Sequence, residues 1–150
     1  MAVWTQAQAD AAEKKLRPLI DKAERDNGLQ TGLLLALIRK ESMFNTRAYN
    51  SKVGASGLMQ IVKTAHPSVR DPFNPNESIP YGAKYLRKMK DKFGSWPEAL
   101  IAYNWGPTNV WRFRAGTKKL PVETQNYIAK VMMWMSQDPR NRKQTMIAYL

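Results

Sequence analysis

Apolar residues recur along most of this chain at the three-to-four-residue spacing of an amphipathic helix. Residues typical of helix caps and helix ends separate these segments. No stretch alternates apolar and polar residues for long enough to predict a sheet strand. The pattern therefore predicts an all-α fold. Because there is no repeat or linker-like segment, it also predicts one domain over residues 1–150.

Capping residues, glycines and prolines set the predicted helix boundaries. Residues 5–8 have the capping-box pattern and open a first helix, which Pro18 is expected to kink or restart and Gly28 to stop. The tail over residues 137–150 is polar and basic and is expected to be frayed or truncated. A second helix is predicted from about Thr31 past Glu41, and a short one over 57–65 behind a Ser56 cap. A long helix is predicted from an Asn76 cap to Gly94. The last three are predicted from Ser95 to about Tyr103, around 109–113, and from Pro121 to about Met135.

Glu41 is the most informative single residue, because it ends an apolar helical stripe and is the only acidic residue between Asp26 and Asp71. The stripe consists of Leu34, Leu37 and Ile38, which share one helix face with Glu41. On a buried face the carboxylate loses hydration, so its pKa should rise, and a protonated carboxyl can act as a general acid. The alternative is that Glu41 lies beyond the buried part and pairs in solvent with Lys40 or Arg39.

Two later segments also contain candidate site residues. The glycines at the ends of segment 54–57 allow a tight turn and a close backbone approach to a ligand. Gln60 offers an amide donor and acceptor suited to sugar hydroxyl or acetamido groups. Tyr103 and Asn104 lie at a predicted helix end. Taken singly, the first segment also fits an ordinary loop-to-helix junction, and Tyr103 also fits a core residue.

Composition excludes several classes of site and leaves the ligand open. The chain has no cysteine, so disulfides, thiolate metal sites and a cysteine nucleophile are excluded. Its one histidine, His66, excludes a histidine-rich metal centre and is expected on a surface loop. The net charge of +12 favours polyanions such as nucleic acid, anionic lipid or an acidic cell-wall polymer. No apolar run approaches the length of a membrane span, and no cofactor or metal is predicted.

Four motifs occur along the chain in a fixed order. They are Glu41-Ser42, Gly54-Ala55-Ser56-Gly57-Leu58-Met59-Gln60, Ala102-Tyr103-Asn104-x-Gly106-Pro107 and Leu120-Pro121-Val122-Glu123-Thr124-x-x-Tyr127. Their order and spacing resemble the soluble lytic transglycosylases, peptidoglycan-cleaving enzymes related to goose-type lysozyme. Each motif alone has low specificity, but four in order are specific, and they lie within residues 31–131. The resemblance implies the all-α, lysozyme-like fold.

The resemblance also implies a reaction and a set of site residues. The glycan strand of peptidoglycan would be cut between N-acetylmuramic acid and N-acetylglucosamine, leaving a 1,6-anhydro end. Glu41 matches the single catalytic acid/base of the family. The positions that match substrate-binding or site-shaping residues are Ser42, Ser51, Met59, Gln60, Tyr103, Asn104, Glu123 and Tyr127.

The isolation of Glu41 in the sequence agrees with this chemistry. Ordinary glycosidases use two carboxylates that flank the scissile bond. A lone acid fits a reaction in which the acetamido oxygen of the substrate stabilises the cationic centre. Alternatively, the fold brings a second carboxylate close to Glu41, from Asp71, Glu77 or Glu123.

One loop length and two positions depart from the family pattern. The loop after Glu41 is one residue longer than in typical members, so the matching substrate-contact position is either Ser51 or Asn50. Val62 stands where members often carry a second methionine, and Trp105 stands where a small residue is usual. The indole of Trp105 is expected either to offer a stacking face to a sugar ring or to pack against Trp111 or Phe113.

Other functions and settings remain open at this point. The alternatives are a hydrolytic lysozyme on the same fold, a basic helical module that binds nucleic acid, and a glycan-binding domain without catalysis. On the favoured interpretation the partner is the peptidoglycan strand, not nucleic acid, and the chain is a monomer or a domain of a larger virion protein. The first ten residues lack the pattern of a secretory signal. We therefore expect a phage virion or lysis enzyme acting at the host periplasm and cell wall, the alternative being a secreted bacterial enzyme whose signal was removed.

Overall fold

The computed structural model describes residues 3–141, which form six α-helices and three two-residue strands. The prediction of an all-α fold is confirmed, with a minor sheet added. The elements are α1 Gln6–Asp26, α2 Leu33–Ser42, β1 Tyr49–Asn50, β2 Ala55–Ser56, β3 Ile61–Val62, α3 Pro75–Phe93, α4 Trp96–Trp105, α5 Pro107–Arg114 and α6 Val122–Ser136.

Helix α2 lies in the centre of the core and packs against α1 and α6. Its predicted inward face is confirmed, because Leu34, Leu37 and Ile38 are all fully buried. Helix α4 packs against α3, α5 and α6, and the buried apolar side chains form one cluster. The burial of these apolar side chains is the main stabilising contribution to a domain of this size. The same packing fixes the position of α2, the helix that carries Glu41.

A buried carboxylate anchors the start of α2. The two carboxylate oxygens of Glu24 accept hydrogen bonds from the backbone N–H groups of Gly32, at 3.0 Å, and Leu34, at 3.2 Å. These are N–H groups that a helix start leaves without intrahelical partners, and a negative charge is favourable there. Arg140 lies 3.8 Å from Glu24 and forms a closer ion pair with Asp138 at 2.9 Å. The start of α2 is thereby tied to α1 and to the segment after α6.

The start of the predicted frayed tail makes specific contacts. Asp138 is buried, and the Asn141 side-chain amide donates to the backbone oxygen of Thr31 at 2.9 Å. Residues 142–150, the rest of that tail, lie outside the described residues.

Helix α2 ends directly after Glu41 and Ser42. Met43 and Phe44 both adopt positive φ angles, of 50° and 63°, a conformation that ends a right-handed helix. The Phe44 side chain is buried, and the indole N–H of Trp4 donates to the backbone oxygen of Met43 at 2.9 Å. Glu41 consequently lies in the last turn of a helix that is held at both ends.

The region after α2 corrects the sequence prediction. The predicted helix over 57–65 is wrong, because β2 pairs in antiparallel fashion with both β1 and β3. Gly57 and Gln60 have φ angles of 75° and 50°, which no right-handed helix accommodates. The Gly57 N–H donates instead to the backbone oxygen of Ala48 at 2.7 Å. The strands were missed because two residues are too few to show a period-two pattern.

Most other helix boundaries agree with prediction, with two corrections. The capping box at Thr5 is complete, whereas Ser95 forms only the half in which its hydroxyl accepts from the Glu98 backbone N–H, because the Glu98 carboxylate pairs with Arg114. Helix α1 continues through Pro18 without restarting, and α3 begins at Pro75 behind an Asn74 cap, not behind Asn76. Proline is favoured in the first helical turn, which explains the start of α3. Among the helices between residues 3 and 141, none combines the length and apolar character needed to cross a bilayer.

Candidate active site

The carboxyl group of Glu41 is largely shielded by neighbouring side chains, although the residue is partly exposed, and it is bonded to a buried phenol. The Tyr127 hydroxyl donates a 2.9 Å hydrogen bond to Glu41 Oε2. Burial raises the pKa of Glu41 from its ordinary value of 4.5 to about 7, although the Tyr127 hydrogen bond and the positive charge of Lys40 lower it. The predicted rise is confirmed. The alternative of an ion pair in solvent is wrong, and Arg39 instead stacks on the Trp134 ring.

Two tyrosines surround this carboxyl group. The Tyr103 hydroxyl donates to the backbone oxygen of Met59 at 2.6 Å, which joins α4 to the loop after β2. Burial, followed by the negative charge of Glu41, raises the pKa of both Tyr103 and Tyr127 well above the usual value. Both phenols therefore keep their protons near neutral pH and serve as hydrogen-bond donors.

A first cavity, of about 280 Å³, opens between the loop after β2, helix α3 and the junction of α4 and α5. Tyr103 and Gln60 belong to its wall. Its lining residues are Gln60, Ile61, Val62, Ala65, His66, Tyr81, Gly82, Tyr85, Ala102, Tyr103, Asn104, Trp105, Gly106 and Pro107. Apolar walls with a few polar groups are typical of small-ligand sites.

The wall of the first cavity contains residues that the sequence did not identify. His66 is partly buried, and its Nδ1 lies 2.7 Å from the Tyr81 hydroxyl. Its ring also meets the edge of Tyr85 at 4.7 Å between centroids. His66 does lie in a loop and is partly exposed, as expected, but its ring packs against α3. The i, i+4 spacing of Tyr81 and Tyr85 on α3 was a signal that they share a face, but nothing in the sequence linked that face to His66.

A second cavity, of about 600 Å³, lies beside Tyr127. Its lining residues are Lys40, Asn104, Glu123, Asn126, Tyr127 and Lys130. Asn104 lines both cavities, so the two are neighbours on either side of this residue. The spacing of Glu123, Tyr127 and Lys130 puts them on one face of α6, a signal that would have added Lys130 to the candidate residues.

The remaining predicted site residues differ in their access to these cavities. The Gln60 amide donates to the backbone oxygen of Gly57 at 2.9 Å, which orients it in the cavity wall. Ser42 donates to the backbone oxygen of Ile38 at 3.1 Å, and neither Ser42 nor Ser51 lines either cavity. Ser51 is exposed in the turn between β1 and β2. Met59 is fully buried, so its contribution is to the core and to the position of Tyr103.

Trp105 lines the first cavity at the end of α4. The Lys118 ammonium lies 5.1 Å from the centroid of its indole ring and is held there by a 2.9 Å bond to Asn109. Trp111 packs against Phe93 at 5.0 Å between centroids. Trp105 is partly buried against the core and Lys118 lies over its ring, so the stacking of a sugar ring on this indole stays a prediction.

The other candidate carboxylates do not converge on Glu41. Glu77 accepts hydrogen bonds from the backbone N–H groups of Arg70 and Asp71, so it closes the loop before α3. Glu123 reaches the second cavity, whereas neither Asp71 nor Glu77 lines either cavity. Among the charged groups in the described residues, only Lys40 contributes to the pKa shift of Glu41. The site therefore offers one proton donor with a pKa near neutrality.

We expect the raised pKa of Glu41 to make the protein less stable as pH rises. Because the folded state keeps the proton up to about pH 7 while the unfolded chain releases it near 4.5, stability falls across that window. The whole shift corresponds to about 3 kcal/mol. The measurement is the free energy of unfolding in urea of the wild type and of Glu41→Gln between pH 4.5 and 8. The other titrating groups are the same in both proteins, so their contributions cancel when one free energy is subtracted from the other. A difference that is constant with pH would contradict the prediction.

The sequence matches the family model described as Transglycosylase SLT domain over residues 18–126. It is 36% identical over 104 residues to the transglycosylase of Enterobacteria phage PRD1, which covers 68% of this chain and 38% of that protein. It is 32% identical over 124 residues to the membrane-bound lytic murein transglycosylase C of Pectobacterium atrosepticum, which covers 69% of this chain and 34% of that protein. It is 33% identical over 105 residues to the membrane-bound lytic murein transglycosylase F of Desulfosudis oleivorans, which covers 64% of this chain and 23% of that protein. The chain thus spans well under half the length of these relatives.

Proposed function

Since this chain belongs to the transglycosylase SLT domain family, we propose that it is a lytic transglycosylase acting on peptidoglycan. It cleaves the β-1,4 bond between N-acetylmuramic acid and N-acetylglucosamine and leaves a 1,6-anhydro-N-acetylmuramic acid end. The observation that carries this proposal is the Glu41 carboxyl group, bonded to Tyr127 beside the second cavity and carrying a pKa of about 7. A carboxyl group with that pKa is able both to donate and to accept a proton near neutral pH.

In the first step Glu41 is the general acid. Tyr127 donates its hydrogen bond to Oε2, so Oε1 is the oxygen that carries the proton. That proton passes to the glycosidic oxygen as the C1–O bond breaks, and N-acetylglucosamine leaves with a free hydroxyl group. The electron-deficient C1 is stabilised by the acetamido oxygen of the same muramic sugar. No second carboxylate is required, in agreement with the isolation of Glu41.

In the second step the Glu41 carboxylate is the general base. It takes the proton of the C6 hydroxyl as O6 bonds to C1 and displaces the acetamido oxygen. The carboxyl group regains its proton, and the product has an internal ether in place of a reducing end. The Tyr127 hydrogen bond and the charge of Lys40 stabilise the carboxylate between the two steps.

The neighbouring polar groups are proposed to bind the strand. Gln60 and Tyr103 lie in the wall of the first cavity, where they are available to the acetamido group and the glycan near the cut. Asn104 lies between the two cavities and offers an exposed amide. Glu123 and Tyr127 shape the opposite side, and Trp105 offers a ring face. Ser42 and Met59 support these groups indirectly, and Ser51 is proposed to meet substrate only at the exposed turn after β1.

The products of wall digestion test the proposal and separate it from the alternative of a hydrolytic lysozyme. Purified peptidoglycan is digested, and the soluble muropeptides are weighed by mass spectrometry. We expect 1,6-anhydro ends, because the C6 hydroxyl and not water attacks C1. Hydrolysis would instead give reducing ends heavier by one water, about 18 mass units. Predominantly reducing ends would overturn the transglycosylase proposal and leave a lysozyme.

We further propose that the setting is a phage infection, with action at the host cell wall. The similarity to a protein named as a transglycosylase of phage PRD1 supports this setting. The net charge of +12 suits a polymer rich in carboxylates. The proposed roles are local opening of the wall by a virion protein or lysis of the host, with this chain as a monomer or as one domain of a larger protein.

A further inference from the structure

Two lysines line the second cavity. Lys40, near the end of α2, and Lys130, on α6, are both exposed. Within residues 3–141 neither forms an ion pair with Asp or Glu. Both ammonium groups are therefore available to an anion that enters this cavity.

Aromatic rings hold both cations in position. The Lys40 ammonium lies 5.9 Å from the ring centroid of Tyr127, and the Lys130 ammonium lies 5.2 Å from that of Trp134. The Arg39 guanidinium lies over the same Trp134 ring at 4.1 Å. A ring face restricts a cation without neutralising its charge. Less side-chain freedom is then lost when an anion binds, which favours a specific contact over a diffuse one.

The cavity has a net positive charge and additional hydrogen-bond donors. Its one acidic residue is Glu123, against the two lysines. The side-chain amides of Asn104 and Asn126 add N–H groups. Two cations with neutral amide donors suit a carboxylate, whose two oxygens accept several hydrogen bonds.

The proposed substrate has its carboxylates in a defined place. The sugar rings of peptidoglycan are uncharged, and its carboxylates are carried by short peptides attached to the lactyl group of N-acetylmuramic acid. Tyr127 belongs to the cavity and is also bonded to Glu41, so a ligand in the cavity lies beside the reacting sugar. On the basis of the proposed function, we propose that the second cavity binds a carboxylate of this peptide stem, with Lys40 and Lys130 as its partners.

The test measures affinity for two matched ligands. A soluble tetrasaccharide of alternating N-acetylglucosamine and N-acetylmuramic acid is prepared with peptide stems whose carboxylates are free, or converted to primary amides. Binding is measured calorimetrically in the Glu41→Gln background, so that the ligand is not consumed. We expect tighter binding of the free-carboxylate ligand. Lys130→Met should weaken that binding about fivefold and leave the amidated ligand unaffected. Added salt should reduce the preference.

Lys88→Met is the matched control. Lys88 is an exposed helical lysine that lines a different cavity with Asp26 and Asn27, so its loss removes the same charge elsewhere. We expect it to leave both affinities unchanged. Lys130 is preferred to Lys40 for the main variant because the charge of Lys40 also acts on Glu41.

The outcomes separate this inference from the proposed function. Equal loss of affinity for both ligands in Lys130→Met, or no preference in the parent protein, would overturn the stem-carboxylate site whatever the catalytic activity. Stem-dependent binding by a protein that yields no anhydro product would support the site and overturn the proposed reaction. If Lys88→Met also weakened binding of the free-carboxylate ligand, the preference for that ligand would reflect the overall charge of the protein. That result would also overturn the stem-carboxylate site.

Discussion

Replacing Glu41 by Gln is expected to lower the rate of anhydro-product formation on the order of 10³-fold, because proton transfer by a positioned side chain is lost. The amide has nearly the same shape and still accepts the hydrogen bond from Tyr127, but it neither donates the proton to the glycosidic oxygen nor removes the C6 proton. Both steps of the proposed reaction therefore fail together. The measurement is the rate of release of anhydro-muropeptides from purified wall.

The folded state should survive this change. At pH 7 the wild type holds a buried carboxyl group that is close to half ionised, whereas the amide has no charge to bury. We expect Glu41→Gln to melt at the same temperature or higher. Glu13→Gln, on the partly exposed part of α1, is the matched control and should retain full activity. Activity of Glu41→Gln above a few per cent of wild type would remove Glu41 from the acid/base role.

Replacing Gly57 by Ala is expected to destabilise the fold by about 4 kcal/mol, the combined cost of a left-handed alanine and of overpacking. Gly57 has a φ of 75°, and an added Cβ would lie 2.2 Å from the backbone oxygen of Pro72 and 3.2 Å from the Cα of Phe73. Both atoms belong to the backbone, so neither can rotate away. The same residue donates to Ala48. Strain here would displace the turn that carries Gln60 and the Met59 carbonyl group, so activity should fall as well.

Gly54 offers a matched control for this effect. Its φ is 73°, nearly that of Gly57, but an added Cβ would meet nothing within 4 Å. Gly54→Ala should therefore lose only the conformational component, about 1 kcal/mol. Urea unfolding of both variants isolates the steric component as their difference. Equal stability losses would show that the contact with the Pro72 backbone is not what requires glycine at position 57.

Some of the site was predictable because it depends on one helix. Leu34, Leu37 and Ile38 define the buried face of α2, and any residue in register with them at position 41 is carried inward. Burial of the Glu41 carboxyl group and the rise in its pKa follow from that register. The helix caps at Thr5 and Ser95 were equally local, since each hydrogen bond lies within four residues. Family membership confirms that this all-α fold is of the lysozyme-like class.

Other features depend on contacts between separate elements. The turn over residues 57–60 was predicted to be helical because its composition allows a helix, whereas pairing of β2 with β1 and β3 excludes one. His66 was expected on a surface loop, yet α3 brings Tyr81 and Tyr85 against it. Each of these concerns a segment whose environment is set by pairing or packing with another element, which its own composition does not reveal.

The sequence by itself determined the helical fold, the register that puts Glu41 on the apolar face of α2 and the order of the motifs, because helical register and capping act over a few residues. Only the tertiary structure decided that Tyr127 is the hydrogen-bond partner of Glu41, that Asn104 separates two cavities, and that Lys40 and Lys130 share one of them. The physical reason is that α2, α4 and α6 meet only when their apolar faces pack into one core. Periodicity shows which face of a helix is buried, but it does not show which side chains of another helix it meets.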